Sequence, residues 1–169
     1  MALVGILGLA AGGCGNSSDN DANNAYANSV CSAIGNWQSQ VKGIASTFTG
    51  IPSQASLQAK LTQVQSATKQ LTTQIKAVPP PDSSEGKAAK QQLDQLTTDI
   101  DNTVNAAQTA LAQIQANPSA AAISAAVATL APQVQSLANE TKSAVDTLKS
   151  AGSSLGSAFK SADSCKSLG

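Results

Sequence analysis

The sequence predicts an all-α fold, an antiparallel up-down-up-down four-helix bundle whose fourth helix is kinked or broken. Three observations predict it. Apolar residues recur at alternating spacings of three and four over four long segments, which puts each set on one stripe of a helix. Turn signals at Gly50-Ile51-Pro52, Pro79-Pro80-Pro81 and Asn117-Pro118 divide the segments, and connections this short make successive helices run antiparallel. Ala, Ser, Thr and Gln dominate, and aromatic residues make up only 2% of the 169, a mixture suited to thin helices with close axes. Heptads this clean also suit a long coiled-coil multimer, but three turn signals favour the folded-back bundle.

The first stripe is Ala27, Val30, Ile34, Trp37, Val41, Ile44 and Phe48, and Gly50-Ile51-Pro52 stops it. The second helix opens at Pro52 or Ser53, where a proline in the first turn loses no hydrogen bond. Its stripe is Leu57, Leu61, Val64, Thr68, Leu71, Ile75 and Val78. Three prolines then end it, since none can supply the amide a helix interior needs. Asp82-Ser83-Ser84-Glu85 reads as a capping box, with Asp82 accepting from free amides and Glu85 reaching back.

The third stripe is Ala89, Leu93, Leu96, Ile100, Val104, Ala107, Leu111 and Ile114, with two consecutive steps of four that relax left-handed supercoiling. Asn117 is placed to cap the fourth helix with Pro118 at its first position. The fourth stripe runs through Ile123, Val127, Leu130, Val134, Leu137, Thr141, Ala144 with Val145, Leu148, Leu155 and Phe159. Pro132 should kink it near Ala128 to Ala131. Gly152 and Gly156 weaken it further, because each glycine in a helix interior costs about 1 kcal/mol against alanine.

Ahead of the bundle, Ala2 to Ala11 is nearly all apolar yet far shorter than the ~20 residues that span a bilayer, so it suits a signal segment and not a permanent membrane helix. Gly12, Gly13 and Cys14 follow, and then the polar run Asn16-Ser17-Ser18-Asp19-Asn20-Asp21. This stretch resembles the end of a bacterial lipobox-type lipoprotein signal. Cys31, Trp37 and the C-terminal Ala162-Asp163-Ser164-Cys165 resemble small actinobacterial envelope lipoproteins without assigned activity. The resemblance implies that Cys14 carries a diacylglycerol on its sulfur, that residues 1–13 are removed as a signal segment, and that residues 14–24 form a disordered tether of about 15–20 Å reach. Residues 25–169 are then the helical bundle domain. Signals of this type open with Lys or Arg, and none occurs before Lys42, so the natural precursor is expected to begin upstream of Met1.

The chain has three cysteines. If Cys14 is lipidated, the count closes when Cys31 pairs with Cys165, in an exported chain where disulfides persist. The chain-entropy model gives about 5 kcal/mol for so long a loop. Helix lengths then constrain the end of the chain: an unbroken fourth helix would carry Cys165 about 30 Å past Cys31, at 1.5 Å per residue. A break at Gly152 to Gly156 is therefore expected, with Phe159 folded back near Val30 or Ile34.

Composition excludes much chemistry. Ten Lys balance ten acidic residues, with no Arg and no His. Net neutrality gives no drive towards nucleic acid, and the chain lacks the usual phosphate clamp, proton shuttle and commonest metal ligand. Asp94, Asp99 and Asp101 follow no calcium-loop spacing and read as a solvated face. Trp37 reads as a core anchor. Lys160 with Ser157 or Ser161 is a poor nucleophile pair, and the Asn139-Glu140-Thr141 triplet carries no weight in a bacterial host.

No catalytic residue, cofactor or metal is expected. The expected role is a lipid-anchored extracytoplasmic bundle, held to the membrane through Cys14 and working by binding or structural contact with an envelope protein. A bundle holding a small apolar molecule, or a subunit of an envelope enzyme whose partner supplies the chemistry, are the alternatives.

Overall fold

The computed structural model describes residues 17–45, 53–116, 119–152 and 154–168. It is all-helical: α1 Ser17–Ala45, α2 Gln54–Ala77, α3 Ser84–Ala116, α4 Ala120–Ser150, α5 Ser154–Ser161 and α6 Asp163–Lys166. Cys14, Phe48 and the turn signals Gly50-Ile51-Pro52 and Asn117-Pro118 lie outside the described residues, as do the side chains of Val127, Leu130 and Val134.

The expected tether over residues 14–24 is corrected where it overlaps α1, which is helical from Ser17. Two causes act together. Asp19 sits in the first turn, where a carboxylate meets the positive end of the helix dipole. Asn23, four residues before Ala27 on the same stripe, is buried and donates its side-chain amide to the Ser154 hydroxyl at 2.9 Å. Packing therefore reaches one turn earlier than the apolar pattern.

The caps sit close to their expected places, with small shifts. Ser53 caps α2, its hydroxyl accepting from the Ser56 amide at 3.2 Å. At α3 the acceptor is Ser83 and not Asp82: its hydroxyl takes the Gly86 amide at 3.0 Å, while Asp82 pairs with Lys87 at the exposed surface. The Ser83 amide bonds back to the Pro81 carbonyl at 2.8 Å, so the prolines curl the chain and delay the helix by a residue. The Glu85 carboxylate accepts from its own amide first and from the Ser84 hydroxyl, with a smaller contribution from the Ser83 hydroxyl, and these bonds hold it below the usual range. Ser119 caps α4, its hydroxyl accepting from the Ala122 amide at 3.1 Å, two residues after the expected cap position.

The break in the fourth helix falls after Ser150. Helix α4 runs unbroken across Pro132, whose ring is exposed, and the chain leaves the helix at Ala151 and Gly152 before α5 begins. Ala151 donates its amide to the Thr147 and Leu148 carbonyls, closing α4. Many threonines in the helices, among them Thr62, Thr73, Thr98, Thr103 and Thr147, turn their hydroxyls onto the carbonyl four residues back. This satisfies the hydroxyl without a partner helix, and so a threonine-rich surface costs the fold little.

Packing follows chain order. Helix α1 packs on α2, α2 on α3 and α3 on α4, while α5 lies against both α1 and α4 and α6 lies against α1. One contiguous core gathers Tyr26 to Trp37 of α1, Ala67 to Ile75 of α2, Ala89 to Ile100 of α3, Leu137 to Leu148 of α4 and the apolar residues of α5 and α6. It occupies less than half of each long helix. Leu57, Leu61, Val64, Leu111 and Ile123, on the remaining lengths, are only half-buried.

Candidate functional site

The feature that ties remote parts of the chain together is the Cys31–Cys165 disulfide, which spans 134 residues with α-carbons 5.0 Å apart. Helix α1 supplies Cys31 on the flank of its apolar stripe, one residue after Val30. The single turn α6 supplies Cys165. Both are wholly buried.

Around the bridge, α1 and the C-terminal helices make a layered contact. Phe159 of α5 is fully buried and meets Tyr26 edge to face, with ring centroids 6.1 Å apart and planes at 90°. This is one turn before the expected neighbours Val30 and Ile34, which share the same core cluster. Sγ of Cys165 lies 3.5 Å from the Ala27 carbonyl oxygen. At the rim the Ser164 hydroxyl reaches the Asn28 backbone carbonyl at 3.2 Å and its side-chain oxygen at 3.0 Å. Leu168 packs against the cluster beside Gly35.

Trp37 is a core anchor, buried between α1 and α2. Its indole Nε1 donates to Thr68 Oγ1 at 3.2 Å. This explains why a threonine stands in the apolar stripe of α2: a buried indole N–H needs an acceptor. Tyr26 is the opposite case. Its ring is buried and its hydroxyl has no hydrogen-bond partner. Burial first, and the Asp94 carboxylate second, push its pKa up to about 12, so the phenol is neutral at any ordinary pH.

The candidates for chemistry remain apart. Asp94 pairs with Lys90 and Asp99 accepts from Gln95 at 2.9 Å, both within α3, while Asp101 is exposed. Among the described residues no three His, Cys, Asp or Glu side chains group as a metal site would require. The Ser161 hydroxyl donates to the Ala158 carbonyl at 3.2 Å, and Ser157 and Lys160 are exposed. Thr141 of the Asn139-Glu140-Thr141 triplet is buried, its hydroxyl bonded to the Leu137 carbonyl at 2.7 Å. Two surface depressions lie open to solvent, one between α1 and α2 beside Gln40, Lys60 and Gln63, and one on α4 beside Lys142 and Asp146.

Residue type and spacing point to Cys31, Cys165, Trp37 and Phe159 in this region; Ser164 stands in the C-terminal motif without an assigned contact, and Asn23, Tyr26, Asn28 and Ser154 go unmarked. Asn23 was within reach, since it continues the stripe of α1 at a step of four. The others lie off that stripe, and their roles follow from where α5 and α6 dock. No family model, curated protein or solved structure matches the chain.

Proposed function

We propose that the chain is a lipid-anchored extracytoplasmic protein, held to the membrane through a lipid on Cys14, whose helical domain has a binding or structural role in the cell envelope and no catalytic role. The observation that carries the reading is cysteine pairing. Cys31 and Cys165 are bonded to each other, which leaves Cys14 as the third cysteine of the chain. It follows an apolar stretch and two glycines, where a lipobox cysteine stands. A long-range disulfide also suits an oxidising compartment. No described helix is long and apolar enough to cross a membrane, so an anchor of this kind would come from acyl chains, each buried methylene contributing about 0.8 kcal/mol.

We read the helices as an up-down-up-down bundle. Packing in chain order, with α5 lying against both α1 and α4, supports that reading, since it closes the ring of neighbours. A structural or binding role fits a molecule whose buried polar groups serve packing: Asn23, Thr68 and Thr141 each satisfy a neighbour or a backbone carbonyl. The test is a Cys14→Ser substitution in the full chain, followed by acyl labelling and detergent partitioning. Labelling should vanish and the protein should leave the detergent phase. Retention of both would reject the anchor.

A further inference from the structure

We propose that α5 and α6 form a redox-released lid: their docking depends on the Cys31–Cys165 bond, and reduction of that bond by a dithiol frees residues 154–166 and bares an apolar strip of α1 while α2, α3 and α4 stay folded. The inference does not depend on the state of Cys14.

The segment is attached weakly by everything except the bridge. The chain leaves α4 at Ala151 and Gly152, so no continuous helix stiffens the connection. Helix α5 has eight residues and α6 four, both too short to hold helical structure without tertiary support. The buried side chains they contribute are Leu155, Ala158, Phe159, Ala162 and Cys165, of which only Leu155 and Phe159 are large. Ordering about thirteen residues costs backbone entropy that two large side chains and three small ones, with the strip of α1 they cover, must offset without help from a continuous helix. The polar ties are Asn23 to Ser154 and Asn28 to Ser164, the latter at the exposed rim. A covalent tie is what tips the balance, because it raises the effective concentration of the lid at its dock.

The dock is strongly apolar. Tyr26, Ala27, Val30 and Ile34 of α1 are fully or almost fully buried. Trp37 stays anchored to α2 through Thr68, so α1 keeps its place when the lid leaves. The sulfurs are inaccessible while α6 is docked. Helix α6 is a single turn that packs on α1 and α5, so its lifting is the step that admits a reductant. A dithiol thiolate then attacks Sγ of Cys165 and displaces the Cys31 thiolate. The second thiol of the reductant resolves the mixed disulfide and releases Cys165. Two electrons and two protons pass to the protein, and the dithiol becomes a disulfide.

The test compares three forms of the full chain by amide hydrogen exchange with residue-level readout: the oxidised protein, the protein reduced with excess dithiothreitol and alkylated, and the Cys31→Ala/Cys165→Ala double variant. In the last two, amides of residues 155–166 should exchange at least about 100-fold faster than in the oxidised form, while those of α2 and α3 keep their protection. A trypsin-type protease should then cut after Lys160. Unchanged protection of residues 155–166 in the double variant would overturn the proposal, because the lid would be docking unaided. Equal acceleration in all helices, including complete unfolding, would overturn it too, because the bridge would then be a staple for the whole fold.

Discussion

Two buried aromatic residues on α1 show how differently a polar tip can be handled. Trp37 spends its N–H on Thr68, whereas the Tyr26 hydroxyl has no partner and its ring is fixed by Phe159. An unpaired buried hydroxyl costs about 1–3 kcal/mol, and removing it together with its need for a partner can be neutral or stabilising. Tyr26→Phe should therefore leave stability unchanged or raise it at neutral pH, measured by urea unfolding, because the edge contact with Phe159 is kept. The pH dependence has a defined sign. A phenol whose pKa is raised in the folded state, from 10.0 to about 12, favours folding fully below pH 10, and that contribution is lost as pH climbs through about 12. The wild type should lose stability over that window, and Tyr26→Phe should lack this part of the loss. A variant with the same alkaline profile would show that another group carries it. Of this site, the sequence made Cys31, Cys165 and Trp37 legible by residue type and count. Tyr26 was illegible because its surroundings come from α3 and α5, far away in the chain.

At the scale of elements, the periodic stripes and prolines carried most of the information. The starts of α2 and α4 fall within one or two residues of their signals, and the break after Ser150 lies beside Gly152, where the disulfide geometry required one. The cap of α3 moved from Asp82 to Ser83 because the backbone turns back on Pro81, a close approach that no local propensity encodes. The start of α1 moved to Ser17 because docking of Ser154 against Asn23 overrode a polar, loop-like composition. Glycine explains both tight corners. A β-carbon on Gly86 would stand 2.1 Å from the Pro81 carbonyl oxygen, and one on Gly156 would stand 1.7 Å from that of Ala151. Both obstacles are backbone, so Gly86→Ala and Gly156→Ala should each destabilise by about 1–3 kcal/mol as the corner is forced open. Gly152 has nothing within 4 Å of its would-be β-carbon, so Gly152→Ala should stay within about 0.5 kcal/mol of the wild type in thermal unfolding. Equal effects at all three positions would contradict the corner geometry.

Over the whole molecule, burial is distributed unevenly along the helices, and this sets where the fold gives way first. The core includes Val30 and Ile34 of α1, Leu71 and Ile75 of α2, Leu93 and Ile100 of α3 and Val145 and Leu148 of α4, all at most 2% exposed. The disulfide ties α6 to α1 within this same region. Towards the start of α2 and the start of α4 the stripes continue in sequence, yet Leu57, Leu61, Val64 and Ile123 are only half-buried. The stripe of each helix was legible from its spacing. How deeply each position sinks was not, because that depends on how many neighbouring helices surround it. The cost of truncation should follow the burial. Leu71→Ala removes a side chain that is 1% exposed and should cost about 2–5 kcal/mol, the range for a cavity in a packed core. Leu57→Ala removes a half-buried one and should cost less than half as much, because neighbours and solvent can close over the gap. Native-state hydrogen exchange gives the matching dynamic readout. Amides of residues 57–64 and 121–126 should open with low free energies through local unfolding, and those of residues 93–100 and 145–148 should exchange only through global unfolding. A single uniform opening energy along α2, together with equal losses for Leu57→Ala and Leu71→Ala, would mean that the core extends the full length of the helices and that the disulfide-linked region is not its centre.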